Sequence, residues 1–127
     1  MSTHSFTATV LALLTVVAAA PSTAAAATRV VYIGTYTGEA SKGIYAFKFD
    51  DSSGALTPIG LVAETPSPSF IIASADGRFV FAVNELDKYE GAAGGSVTSF
   101  AVDKATSKLT QLSVQPTKGA SPCHLAL

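Results

Sequence analysis

The sequence predicts an all-β fold built from a repeated unit of four short strands. Three observations carry that expectation. No 11-residue window after position 27 places apolar residues at i, i+3, i+4 and i+7, the spacing that gives a helix one apolar face. The same stretch reads as short apolar runs, several alternating with period two, each closed by Gly, Pro, Asp or Ser. A shift of 53 positions lays the second half of the chain on the first, with Ile44 on Val97, Phe47 on Phe100, Phe49 on Val102, Asp50 on Asp103, Leu56 on Leu109 and Thr57 on Thr110.

The chain has 127 residues with 8 basic against 9 acidic side chains, and every one of them follows position 27. A net charge of -1 excludes a partner held by a basic face, so neither nucleic acid nor a membrane surface is expected. Residues 8–20 form an apolar run of 13 residues. Spanning a bilayer takes about 20. Pro21-Ser22 breaks the run, and Ala24-Ala25-Ala26-Ala27 offers the small-x-small pattern of a cleavage site. Residues 1–27 therefore read as a signal peptide, cleaved after Ala26 or Ala27, and residues 28–127 as the folded part of an exported, periplasmic or secreted protein. Such compartments are oxidising, but Cys123 is the only cysteine, so no disulfide can form within the chain.

The expected strands follow in order. Val30-Val31-Tyr32-Ile33 is continuous and β-branched, which reads as a strand buried on both faces. Residues 44–49 alternate, with Tyr45, Phe47 and Phe49 on one face, and Asp50-Asp51-Ser52-Ser53-Gly54 turns the chain. Residues 56–62 and 69–73 are further strands. Ala75-Asp76-Gly77 makes a tight reversal into residues 79–83. A loop containing Gly91, Gly94 and Gly95 is expected to be mobile, and it leads to strands 97–102 and 109–114. Residues 124–127 are expected to begin another strand.

The repeat sets the architecture. Ser67-Pro68 meets Ser121-Pro122 at a shift of 54, and Arg29-Val30-Val31-Tyr32 meets Arg78-Phe79-Val80-Phe81 at a shift of 49. The loop after Glu85 is thus four residues longer than its counterpart after Tyr36. Four strands in a period of roughly 50 residues mark a propeller blade. The blade order would be an inner strand at 69–74, then 78–84, 96–103 and an outer strand at 109–114. A blade buries its faces only against its neighbours, so the chain, with under two blades, is expected to be the N-terminal part of a longer propeller. Its first blade lacks an inner strand, which the far C-terminus would supply. The missing blades of the same protein are its expected structural partners.

Tyr32-Ile33-Gly34-Thr35-Tyr36-Thr37, Gly43-Ile44-Tyr45-Ala46-Phe47, Ser67-Pro68-Ser69, the run from Asp76 to Glu85 and Gly119-Ala120-Ser121-Pro122-Cys123-His124, taken in that order, resemble the lactonase family of seven-bladed β-propellers. That family takes in the 6-phosphogluconolactonase-like propellers and the carboxy-muconate lactonizing enzyme. The resemblance covers essentially all of residues 29–127. It implies hydrolysis of a sugar-derived or related lactone to the hydroxy acid, or the reverse closure, with no required metal and no cofactor.

Strand order alone brings the loops at 36–42, 63–68, 86–95 and 115–122 to one end, and with them Tyr36, Thr37, Asn84, Glu85 and His124. His124 replaces the Phe70 of the first repeat, so the blade does not demand it. Imidazole is a side chain suited to general acid or base work on a lactone, and the resemblance points to the same position as catalytic. Glu85 is the second catalytic candidate, as a base or as a holder of a substrate hydroxyl. Tyr36, Thr37 and Asn84 are candidate substrate-binding residues. Cys123 is expected to point away from His124 and to be buried, because adjacent strand residues face opposite sides. The glycines after Glu85 are not followed by Gly-Lys-Ser/Thr and make no phosphate loop. Arg29 and Arg78 start strands at the end away from His124, so the electrophile for a developing oxyanion would come from other blades. Residues 28–127 alone are then expected to be inactive. The competing reading is a non-catalytic exported propeller serving as a binding or surface scaffold, since fold does not fix function.

Overall fold

The computed structural model describes residues 28–127. The signal-peptide reading of residues 1–27 lies outside it. Nine strands and no helix make up the described part: β1 (Thr28–Gly34), β2 (Gly43–Asp50), β3 (Leu56–Glu64), β4 (Phe70–Ala73), β5 (Phe79–Asn84), β6 (Lys88–Tyr89), β7 (Ala92–Ala93), β8 (Ser96–Val102) and β9 (Leu109–Pro116). They form a sheet of order β1-β2-β3, a sheet of order β4-β5-β8-β9 and the small pair β6-β7. Every pairing is antiparallel. The second sheet is the complete blade that the repeat demands. The first has the second, third and outer strands of a blade, so β1 lies at its edge.

The repeat extends to backbone detail. At the turn after β2, Asp50 Oδ1 accepts the Ser52 N–H (2.8 Å) and the Asp50 carbonyl accepts the Gly54 N–H (2.8 Å). After β8, Asp103 Oδ1 accepts the Ala105 N–H (2.9 Å) and the Asp103 carbonyl accepts the Ser107 N–H (2.7 Å). Both turns close in the left-handed region, Gly54 at φ 73° and Ser107 at φ 62°. Glycine takes that conformation freely, whereas serine bears the steric cost of its Cβ. The Ser107 carbonyl is also used, accepting the Tyr32 hydroxyl at 3.2 Å and so tying the first sheet to the second.

The loop after β5 holds an element that the sequence reading did not place. Its extra residues fold into the β6–β7 hairpin, reversed by Glu90 (φ 50°) and Gly91 (φ 82°), the two positive φ angles that a tight hairpin turn uses. Gly95 serves close packing: a Cβ there would lie 2.4 Å from both the Asn84 carbonyl oxygen and Pro122 Cδ.

The core lies between the two larger sheets. Ile44, Ala46 and Val62 of the first pack with Val80, Ala82, Phe100 and Leu109 of the second. Removing a buried aromatic such as Phe100 costs about 3–5 kcal/mol in cores of this kind. The opposite face of the first sheet sets Val31 beside Phe47 and Ile33 beside Tyr45, all outside the core. That corrects the reading of residues 30–33 as buried on both faces. Val30 and Ile33 are 42% and 39% exposed, because β1 has a strand on one edge only and packs a sheet on one face only. Two bulges in the β2–β3 ladder leave Ile59 and Val62 unpaired, which turns Val62 into the core.

The expected strand at 124–127 is absent. A strand exists only as part of a ladder, and no described strand pairs with these residues. For the same reason Cys123 is not buried: it is an exposed free thiol, since the alternation that would turn it inward applies only within a strand.

Candidate functional site at the loop end

β1, β3, β5 and β9 all end on the same side of the molecule, and their connections bring the candidate residues together. Tyr36 and Thr37 follow β1, Thr65 to Ser69 bridge β3 to β4, Asn84 closes β5 with Glu85 next in the chain, and His124 follows the connection out of β9. Strand order places them here, and the structure adds the contacts.

The Tyr36 hydroxyl donates to Glu85 Oε2 at 2.9 Å. The two residues are 49 apart in the chain, the offset of the repeat between β1 and β5. The accepted hydrogen bond and then the charge of the Glu85 carboxylate hold the Tyr36 phenol above its ordinary value. Tyr36 itself is 67% exposed. Thr37 Oγ1 accepts the Ser67 N–H at 3.1 Å. The His124 ring leans on Phe70, with centroids 4.6 Å apart and planes at 44°. Phe70 and His124 are equivalent positions of successive repeats, so the starts of neighbouring inner positions meet here. His124 is exposed and forms no hydrogen bond with Glu85 among the described residues.

Asn84 is 0% exposed. Its Nδ2 donates to Thr65 Oγ1 (2.8 Å) and to the Pro66 carbonyl (2.6 Å), while its Oδ1 accepts from Ser96 Oγ (3.0 Å) and Thr98 Oγ1 (2.6 Å). Its amide is thus spent inside the fold. One residue of this neighbourhood carried no role in the sequence reading: Ser69, whose Oγ is buried without a hydrogen-bond partner and adjoins the Tyr36 phenol. The signal was present in the Ser67-Pro68-Ser69 motif, but sequence gives no means of telling which hydroxyl is orphaned.

Gly34 fixes how closely the sheets meet at this end, since a Cβ there would lie 1.9 Å from the Pro68 carbonyl oxygen. An open groove of about 450 Å³ lies between the Thr37–Lys42 side and Glu64 to Pro66, and neither Tyr36, Glu85 nor His124 lines it. Both arginines sit at the opposite end, Arg29 paired with Asp51 at 2.8 Å and Arg78 with Asp76 at 2.6 Å. Seven residues of β1 separate the two ends, about 23 Å at 3.3 Å per residue. No cluster of three or more His, Cys, Asp or Glu side chains suited to a metal occurs among the described residues.

The family profile described as Lactonase, 7-bladed beta-propeller matches residues 30–127. The chain belongs to the lactonase family. Among relatives of this lactonase-family chain, the 6-phosphogluconolactonase of Bacillus subtilis (strain 168) is 31% identical over 96 residues, which is 76% of this chain and 26% of that protein. A Bacteroides fragilis structure assigned as a 6-phosphogluconolactonase superposes with TM-score 0.72 at 42% identity, over 84% of this chain and 28% of its own. A periplasmic gluconolactonase of Pseudomonas aeruginosa superposes with TM-score 0.64 at 33% identity, over 75% of this chain and 26% of its own. The lactonase-family chain thus spans about a quarter of the length of these relatives and covers part of a propeller.

Proposed function

We propose that this chain supplies the first blades of an exported lactone hydrolase, with His124 and Glu85 as its contribution to catalysis. The observation that carries the reading is the convergence at the loop end of a lactonase-family propeller: an exposed imidazole on Phe70 and, at the same end, a phenol-bound carboxylate. In hydrolysis, water adds to the lactone carbonyl carbon and gives up a proton, and the ring C–O bond then breaks as its oxygen takes a proton. His124 is suited to both transfers. Glu85, oriented by Tyr36, holds a hydroxyl of the substrate or assists as base. An arginine for the oxyanion cannot come from Arg29 or Arg78 at the opposite end, and in this proposal it comes from other blades.

Residues 1–27 act as the export signal in this proposal. The charge-free leader with its small-residue end supports it, and so does the existence of a periplasmic relative. Export argues for a non-phosphorylated sugar lactone over a phosphorylated one. The test is a pH-stat assay of the complete propeller with glucono-δ-lactone and its 6-phosphate, each corrected for spontaneous opening. Turnover of the non-phosphorylated lactone by enzyme recovered from outside the cytoplasm, beginning near Thr28 by N-terminal sequencing, is the expected result. Absence of turnover on both lactones would contradict the activity, and an intact Met1 in the folded enzyme would contradict the export.

A further inference from the structure

We infer that Asn84 is a positioning residue whose amide clamps the connection between the two blades and thereby fixes Glu85 against Tyr36. The inference rests on the proposed lactone-hydrolase reading for its kinetic consequence, but its geometry does not. An asparagine amide offers two donors and two acceptor positions, and all four are occupied. The Pro66 carbonyl can only accept, so the nitrogen must face the inter-blade connection and the oxygen must face β8. The same connection is gripped again by main chain. The Glu85 N–H donates to the Ser67 carbonyl at 3.0 Å, and the Ser67 N–H donates to Thr37 Oγ1 at 3.1 Å. Ser67 sits at φ 40°, a bend that the surrounding contacts must hold in place. Thr65, Pro66 and Ser67 are therefore bound on one side by Asn84 and Glu85 and on the other by Thr37, next in the chain to Tyr36. Through this short path Asn84 controls the separation of the two partners in the Tyr36–Glu85 hydrogen bond.

The equivalent position of the first blade carries a shorter polar tie. Its equivalents of Asn84 and Ser96 are Thr35 and Gly43, and there the threonine hydroxyl donates to the Gly43 carbonyl at 2.7 Å, within its own blade. A polar tie at the top of the second and third strands recurs in both blades. In the second blade the longer amide extends it to the connection from the preceding sheet. A buried, fully satisfied network of this kind is rigid, and losing its central member leaves several groups without partners.

The test uses the complete propeller. Asn84→Ala is expected to lower kcat for the lactone about 10–100-fold, with KM changed less than about threefold, since a displacement near 1 Å at a catalytic group costs that much. In the Glu85→Gln background the same change should add no further loss. Unchanged kcat per folded molecule, or a loss that multiplies fully with Glu85→Gln, would overturn the inference. Thr65→Val removes one partner and leaves Asn84 in place, and it should give the same pattern at smaller amplitude if Asn84→Ala does not fold. A second readout needs no activity. The Tyr36 phenol, followed by NMR of ring-labelled tyrosine and assigned with Tyr36→Phe, should titrate lower in Asn84→Ala than in the wild type. An unmoved titration would overturn the clamp even in a protein that hydrolyses no lactone, while a moved one with no lactonase activity would uphold the clamp and defeat only the proposed function.

Discussion

Asp50 and Asp103 hold equivalent turns, and each carboxylate lies below its ordinary value, first because a neighbouring hydroxyl (Ser52 or Thr106) donates to it and then because backbone N–H groups do. Asp76 is lowered further by the Ser74 hydroxyl and by the Arg78 backbone N–H and side chain. A depressed carboxylate stabilises the fold fully above its unfolded value of about 3.9 and loses that contribution as pH falls through the folded value. The urea midpoint should therefore hold from neutrality down to about pH 5 and fall below about pH 4, with Asp103→Asn removing part of the fall. A midpoint independent of pH in that range would contradict the assignment. At this scale the placement of His124 and Glu85 at the loop end was legible from strand order, and His124 stood out because it departs from the phenylalanine of the repeat. The state of Asn84 was not: its four partners come from Thr65, Pro66, Ser96 and Thr98, and no linear pattern links those positions to one amide. Cys123 was misread for the opposite reason, because alternation was applied where no ladder forms.

Strand order and blade membership were readable because each is repeated: the two Asp turns, the two Ser-Pro bends and the paired aromatic runs recur at nearly fixed offsets. Ser67 and Ser121 even share the left-handed conformation, at φ 40° and 50°. The bulges were not readable, since a single skipped residue leaves composition and spacing almost unchanged. The hairpin β6–β7 was visible only as four extra residues rich in glycine, and Glu90-Gly91 makes it a defined turn. At the meeting of β1 with the β3–β4 connection, Gly34 leaves no room for a methyl group. Gly34→Ala should destabilise the protein by about 1–3 kcal/mol, as overpacking does, read as a lower urea midpoint at unchanged slope. Gly38→Ala, where a Cβ would meet nothing within 4 Å, serves as the control. Equal effects of the two changes would refute the close-approach argument.

Across the whole molecule, two sheets share one core and each keeps an outer face for a neighbour. In the first sheet that face carries Tyr45, Phe47 and Phe49, all half-buried. This is the organisation of consecutive blades, in which the ends of the strands, and not the sheet faces, are left to bind a ligand. Tyr36, Glu85 and His124 converge at one such end, while the two arginines are paired with aspartates at the other. The central claim is that these convergent side chains perform acid–base chemistry on a lactone. It is tested most directly by kcat for glucono-δ-lactone in the complete propeller and its His124→Gln variant, at matched folded content. A loss of about 100-fold or more, the usual contribution of a positioned acid–base group, is the expected result. Equal kcat in the two proteins would contradict it.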